Sequence, residues 1–144
     1  MEEPLFATLF RRIHLAIRRA IYDDVRNAGF AEIAPAHLYV FQLPGPDGLR
    51  PTELAERMNM TKQATNHLLA TLEATGYLER VPGDGDGRTK VIRTTAKGRR
   101  VSEVMQSSSR RLEREWAKRL GRTRLAELRG ELRALDEIVR LSAG

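Results

Sequence analysis

Five polar side chains near the middle of the chain have types and spacing suited to reading the edges of nucleic-acid bases. They are Thr61, Lys62, Gln63, Asn66 and His67. Glutamine and asparagine amides can each pair with adenine through two hydrogen bonds, while threonine, lysine and a helix N-terminus suit phosphate. On a helix Thr65 falls on the opposite face and is expected to pack inward. A solvated helix face would carry the same residue types, so the interpretation depends on the neighbouring elements.

The elements on either side of these residues predict a helix-turn-helix. A short helix is expected from Pro51 to about Met58, because proline suits a first helical turn and Glu53 suits a capping box. Thr61 is the expected N-cap of the second helix, and Gly76 is placed to end it in a left-handed conformation. A second helix of small polar residues backed by an apolar stripe is what a major groove accommodates.

A strand-turn-strand follows within the length that a hairpin allows, with strands expected at residues 77–82 and 89–94. Glycines 83, 85 and 87 supply the positive φ angles of a narrow loop. The hairpin predicts a basic wing that contacts DNA, with Arg88 in the loop and Lys90 on the second strand. We interpret Asp86 as a brace for Arg88 or Arg80. An ordinary exposed turn is the alternative, and a calcium site would need more carboxylates than this loop offers.

Amphipathic helices flank the predicted winged helix. The first is expected from Leu5 to Val25, and a shorter one from Pro35 through Leu43. A long helix capped by Thr95 is expected to break at Gly121. The last helix carries an apolar seam with steps of three and four residues, formed by Leu125, Leu128, Leu132, Leu135 and Val139. Such a seam is typical of a coiled coil and predicts dimerisation through the terminal helices.

These elements predict a mainly α fold with a small β-hairpin wing. Residues 1–30 are expected to form an N-terminal dimerisation helix and residues 31–100 a winged helix-turn-helix DNA-binding lobe. Residues 101–144 are expected to form C-terminal dimerisation helices, all within one compact protomer. At 144 residues the chain suits a single domain with a real core.

The charge balance suits a polyanionic partner. The net charge is +6, and 21 of the 25 basic residues are arginine, which favours forked contacts to phosphates and base edges. The absence of cysteine excludes disulfides, thiolate catalysis and cysteine-ligated zinc. The sequence shows neither a secretory signal nor an apolar stretch long enough to span a bilayer, so we expect a cytoplasmic protein without a membrane partner.

The sequence offers little for an enzyme. His14, His37 and His67 fall on three different predicted helices without metal-ligand spacing, and no nucleophile elbow is present. We therefore expect no catalysis, no cofactor and no metal. A small-molecule effector pocket could be lined by His37, Tyr39 and Phe41, although core and surface residues of a short helix would look the same.

The sequence resembles the MarR family of bacterial transcriptional regulators, the multiple-antibiotic-resistance repressor type. The resemblance is specific over roughly residues 49–98. It is carried by Glu53-Leu54-Ala55-Glu56-Arg57, Leu72-Glu73, Gly76-Tyr77-Leu78, Arg80, Asp86-Gly87-Arg88, Val91-Ile92-Arg93, Thr95 and Gly98. The chain departs from the family at Thr94, usually leucine, which is expected to weaken wing packing slightly. It also departs at Arg50, often threonine or serine, which adds a candidate phosphate contact at the cost of a helix cap.

The resemblance implies a homodimer that places two winged helices on a pseudo-palindromic operator in duplex DNA. It places the polar residues 61–67 named above on the recognition helix, and Asp86 and Arg88 on the wing. For many members it also implies an effector site between the dimer helices and the DNA-binding lobe. We thus expect a sequence-specific DNA-binding transcriptional regulator, a dimeric repressor relieved by a small aromatic or apolar effector. The competing hypothesis is a winged-helix module that binds protein without sequence-specific DNA binding.

Overall fold

The computed structural model of the chain describes residues 2–85 and 89–144. Within these ranges the elements follow the expected order. They are α1 (Phe6–Asn27), a 3-10 turn (Pro35–His37), α2 (Leu38–Phe41), α3 (Pro51–Arg57), α4 (Lys62–Ala74), β1 (Leu78–Pro82), β2 (Lys90–Thr94), α5 (Ala96–Leu120) and α6 (Arg122–Ser142). The prediction of a mainly α fold with a hairpin wing is confirmed. The helix expected over 35–43 is shorter, because Pro44 disfavours a helical conformation at the residue before it.

The chain divides into two compact units, residues 1–108 and 109–144, so that α5 contributes to both. In the first unit apolar side chains from the helices and the hairpin meet in one core. Its centre is Tyr77, which is fully buried and packs edge-on against the rings of Phe30 and Phe41, with ring centroids 6.1 and 6.3 Å away. Burying a large apolar side chain contributes roughly 1.5–3 kcal/mol, so this core fixes where α4 and the hairpin lie.

The predicted helix ends are confirmed by their hydrogen bonds. The Thr61 hydroxyl oxygen accepts the backbone N–H of Ala64 at 3.1 Å and so caps α4. The Glu53 carboxylate accepts the backbone N–H of Arg50 at 3.2 Å, half of a capping box. Gly76 has a φ of +85°, the left-handed conformation that ends α4 without a Cβ clash.

The strand β2 is bonded on both of its edges. It pairs antiparallel with β1, with Arg80 opposite Ile92 at the centre of the register. On its other edge the N–H of Gly48 donates to the carbonyl of Ile92, and the N–H of Ile92 donates to the carbonyl of Leu49, each at 2.8 Å. The segment that leads into α3 therefore acts as a short third strand and joins the hairpin to the helix-turn-helix.

Asp47 fastens the end of β2 through Thr94. Its carboxylate accepts the Thr94 backbone N–H at 2.7 Å and the buried Thr94 hydroxyl at 2.9 Å. Hydrogen bonds to a charged acceptor are stronger than neutral ones. Leucine at position 94 has no hydroxyl and could not make the second bond. Thr94 therefore contributes a hydrogen bond to the wing, which the expectation of weaker packing did not consider.

The second unit contains the end of α5 and all of α6. Arg129 of α6 forms an ion pair with Glu113 of α5 at 2.9 Å, and Gly121 between the helices has a φ of +91°. The apolar seam of α6 is exposed in the single chain, with Leu128, Leu132 and Val139 each more than 40% accessible. None of the described helices is apolar enough over a sufficient length to cross a membrane.

Two glycines on helices allow a matched test of this packing. A Cβ at Gly98 would collide with the carbonyl oxygen of Tyr77 and with the Thr94 methyl group, so we expect Gly98→Ala to cost about 1–3 kcal/mol of unfolding free energy. A Cβ at Gly130 would meet nothing within 4 Å. Since alanine favours a helix interior, Gly130→Ala should gain about 0.5–1 kcal/mol. Urea unfolding followed by circular dichroism measures both, and equal effects would contradict the close approach at Gly98.

Candidate nucleic-acid interface

One face of α4 is polar and exposed, and the opposite face is built into the core. Thr65, Leu69 and Leu72 are buried, whereas Lys62, Gln63, Asn66 and His67 are exposed. The prediction that Thr65 packs inward is confirmed. Because the core holds the buried face, the exposed side chains are presented on a helix of fixed orientation.

The side chains at the start of α4 are available to a ligand. In the part of the chain that the structure describes, no side-chain hydrogen bond or ion pair engages Lys62, Gln63 or Asn66. Each amide can donate two hydrogen bonds and accept others, the pattern that suits a base edge. The Thr61 oxygen caps the helix while its O–H remains a donor, so it too can serve a phosphate.

Arg50 is occupied by its own helix. Its Nε donates to the Glu53 carboxylate at 2.7 Å, and both side chains are exposed. This hydrogen bond raises the pKa of the Arg50 guanidinium and lowers the pKa of the Glu53 carboxyl. The remaining guanidinium N–H groups are the donors that Arg50 retains for a phosphate, and its predicted DNA contact stays a prediction.

Two arginines of the hairpin are likewise paired. Arg80 donates from Nε to Glu73 at 2.5 Å, which ties β1 to the last turns of α4. Arg93 donates from Nε to Glu79 at 2.6 Å across the two strands. Lys90, at the start of β2, is exposed and has no ion pair among the described residues. Among the described basic residues of the hairpin, Lys90 is therefore more available to a phosphate than Arg80 and Arg93, which are paired.

The tip of the wing carries two further predicted contacts. Asp86 and Arg88 lie outside the described residues, so the brace between them stays a prediction. The alternative partner for the brace was Arg80, and that arginine bonds Glu73.

The three residues predicted for an effector pocket do not share a surface. Phe41 is in the core against Tyr77. Tyr39 is 43% exposed and lies against α1. His37 is only 6% exposed, and its Nδ1 accepts the backbone N–H of Ala34 at 2.9 Å. Alternate positions from the 3-10 turn to the end of α2 thus point into the turn, to α1 and to the core.

The structure places a cluster around Tyr39 that the sequence did not reveal. The guanidinium carbon of Arg18 lies 3.8 Å from the centre of the Tyr39 ring, and Nε2 of His14 lies 3.4 Å from its hydroxyl. Arg18 also donates to the carbonyl of Pro35 at 3.1 Å, and burial lowers its pKa. The four-residue spacing of His14 and Arg18 could have shown that they share a face of α1. Nothing in the sequence indicates that Tyr39, 21 residues after Arg18, lies against that face.

Comparison with known proteins agrees with this geometry. A sequence model described as the MarR family matches residues 42–89, which hold the helix-turn-helix and the first strand of the hairpin. Over these residues the chain is similar to the MarR family. The predicted resemblance is thereby confirmed. Among proteins with curated descriptions, none matches the sequence significantly.

Solved structures extend the MarR-family likeness to the whole fold. A transcriptional regulator from Thermotoga maritima is 26% identical over 95% of both chains, with a TM-score of 0.66. A MarR-family protein from Mycobacterium tuberculosis, in complex with salicylic acid, is 22% identical over 93% of this chain and 98% of that one, with a TM-score of 0.69. The transcriptional repressor CouR, bound to a 23-mer DNA duplex, is 22% identical over 92% of both, with a TM-score of 0.68.

His37 makes the stability of the first unit depend on pH. Burial lowers the pKa of its imidazole, and the proximity of His67 on α4 lowers it further. Protonating Nδ1 would also remove the acceptor of the Ala34 N–H. The folded protein therefore favours neutral His37.

This lowered pKa predicts that acid destabilises the fold. The unfolded chain takes up the proton near the ordinary pKa of 6.5, whereas the folded protein takes it up only at lower pH. The stabilisation is therefore complete above pH 6.5 and is lost as the pH falls toward the folded-state pKa. We expect His37→Asn, whose amide oxygen can accept the Ala34 N–H, to lose this part of the pH dependence.

Urea unfolding from about pH 8 to about pH 5 measures this difference. His14→Asn, which removes another histidine and leaves the Ala34 N–H bonded to His37, is the control. Identical profiles for the native protein and His37→Asn would contradict the role of His37.

Proposed function

We propose that the chain is a dimeric, sequence-specific DNA-binding repressor in which α4 reads the major groove. The observation that carries the proposal is the exposed start of α4, where Gln63 and Asn66, beside Lys62, present amides that no described side chain engages. Bidentate amide contacts to adenine are a common means of direct base readout. Arg80 and Arg93 stabilise the hairpin through their ion pairs with glutamates. Lys90 is the hairpin residue that we expect to contact the phosphate backbone.

The competing proposal is a winged-helix module that binds another protein. A net charge of +6 and an exposed face without large apolar side chains favour DNA over a protein partner. The DNA-bound relative CouR supports the same choice, and its description as a repressor supports that direction of regulation.

A homodimer follows from apolar surface that a single chain leaves exposed. In the first unit this surface is the start of α1, where Leu5 and Phe6 are about three-quarters accessible. In the second unit it is the α6 seam with Leu128, Leu132 and Leu135. Contiguous exposed apolar side chains of this kind mark an interface. We propose that a second copy of the chain covers both surfaces and thereby pairs two recognition helices.

The cluster of Arg18, Tyr39 and His14 suits a small aromatic acid. Within the described residues no carboxylate engages Arg18, whose guanidinium already lies over an aromatic ring. A ligand carboxylate could pair with the guanidinium while its ring packs beside Tyr39. The M. tuberculosis relative with salicylic acid supports this chemistry. Such a ligand relieves repression only if it binds the DNA-free conformation more tightly than the bound one.

Selection from a pool of random duplexes tests the DNA-binding proposal directly. A dimer should enrich an inverted repeat whose half-sites lie about one helical turn apart, roughly 34–36 Å. On the enriched duplex Gln63→Ala or Asn66→Ala should cost about 1–3 kcal/mol, and much less on a scrambled duplex. Gln42→Ala, at an exposed glutamine outside α4, is the matched control and should bind both duplexes as the native protein does.

Equal losses on the two duplexes would show that these amides do not read bases. Failure of the native protein to enrich any sequence would favour the protein-binding module.

Salicylate and benzoate test the effector proposal. A ligand at 100 times its Kd stabilises the protein that it binds by about 2.7 kcal/mol, which a thermal shift detects. We expect both acids to raise the Tm of the native protein and to release it from the enriched duplex. Arg18→Met should abolish both effects because it keeps the stem but removes the guanidinium. Arg19→Met, at the neighbouring exposed arginine, should retain them, and a constitutive repressor would show no release with any acid.

A further inference from the structure

The first turn of α5 holds the three carbonyl groups that follow α4. Lys97 Nζ donates to the Thr75 oxygen at 2.8 Å, and the Thr95 hydroxyl donates to the Gly76 oxygen at 2.7 Å. The backbone N–H of Thr95 donates to the Tyr77 oxygen at 3.1 Å. Gly98 lies directly against that same Tyr77 oxygen. We call this set of contacts the α4–α5 joint.

Glu32, in the turn after α1, holds the joint from a third direction. Its carboxylate accepts the Tyr77 hydroxyl at 2.7 Å and lies 3.6 Å from Lys97 Nζ. The hydrogen bond from Tyr77 lowers the pKa of the Glu32 carboxyl, which keeps it ionised. Lys97 Nζ also lies 4.3 Å from the centre of the Tyr77 ring, so one ammonium group meets a carbonyl, a carboxylate and an aromatic face.

The joint lies at the opposite end of α4 from the residues proposed to read bases. The 13 residues of α4 span roughly 20 Å at 1.5 Å per residue. A tilt of about 5° at Thr75 would therefore move the start of α4 by almost 2 Å. That displacement is enough to break a bidentate hydrogen bond, whose distances vary by only about 0.5 Å.

We propose that Lys97, fixed by Glu32, is a positioning residue for operator recognition. It sets the inclination of α4 by holding the Thr75 carbonyl, and it does not itself touch DNA. This inference rests on the proposed function, since it concerns the same recognition helix.

A direct phosphate contact by Lys97 is the competing explanation, and the two roles predict different outcomes. Loss of a phosphate contact weakens binding to every sequence and reduces the slope of log K against log salt by about 0.9. Loss of a positioning contact weakens binding to the selected duplex and leaves the salt slope unchanged. Glu32 separates the roles further, because removing a negative charge near DNA by itself tightens binding.

The experiment compares Lys97→Met and Glu32→Gln on the duplex enriched by the native protein and on a scrambled duplex. We expect each variant to bind the enriched duplex about tenfold more weakly, with less than a twofold change on the scrambled one. Lys97→Arg retains a cationic donor and should restore most of the selectivity. Lys118→Met and Glu103→Gln, at exposed residues of α5, are the matched charge controls and should keep the native selectivity.

Hydrogen exchange of the DNA-free protein tests the joint without reference to DNA. Lys97→Met should speed exchange of the Gly76 and Tyr77 amides, which bond back to α4 at Glu73 and Leu72. Unchanged exchange, or tighter operator binding by Glu32→Gln, would overturn the positioning role. If the native protein enriches no duplex, the proposed function fails. Faster exchange with unchanged selectivity would show a joint that holds α4 without tuning recognition, which also overturns the proposal.

Discussion

The buried ring of Tyr77 is the constraint on which the arrangement of the first unit depends. Its hydroxyl needs a partner because an unsatisfied polar group in the interior costs free energy, and Glu32 supplies that partner from the turn after α1. Its ring packs against Phe30 and Phe41, and its carbonyl oxygen accepts the backbone N–H of Thr95 at the start of α5. One residue thus ties the turn after α1, the end of α4 and the beginning of the long helix together.

The distribution of charge shows why a count of arginines does not locate an interface. Arg50, Arg80 and Arg93 each bond a glutamate, so they shape the helix-turn-helix and the hairpin as much as they add positive potential. At the start of α4, in contrast, Lys62, Gln63 and Asn66 are exposed and have no side-chain partner among the described residues. Under the proposed function, selectivity comes from this small amide-bearing face, and the remaining cations contribute attraction that salt weakens.

Local features of the structure were predictable from the sequence, because caps and amphipathic faces depend on residues three or four positions apart. The caps at Thr61 and Thr95, the left-handed Gly76 and the inward Thr65 all belong to this class. Contacts between distant segments were not predictable. Asp47 meets Thr94, and Tyr39 meets Arg18 of α1, only because the core brings those segments together. The side-chain directions of His37, Tyr39 and Phe41 were likewise not predictable, since a 3-10 turn followed by four residues of helix has too little periodicity to assign faces.

The pairing of residues 48 and 49 with β2 has a consequence for protein engineering. Two five-residue strands make a hairpin that is marginal in water by itself, and this one gains its third partner from chain that precedes α3. A transplant of the helix-turn-helix with its hairpin therefore has to include Asp47, although α3 itself starts at Pro51. A chimera joined between those two positions would carry α4 and leave behind the carboxylate that bonds the end of β2.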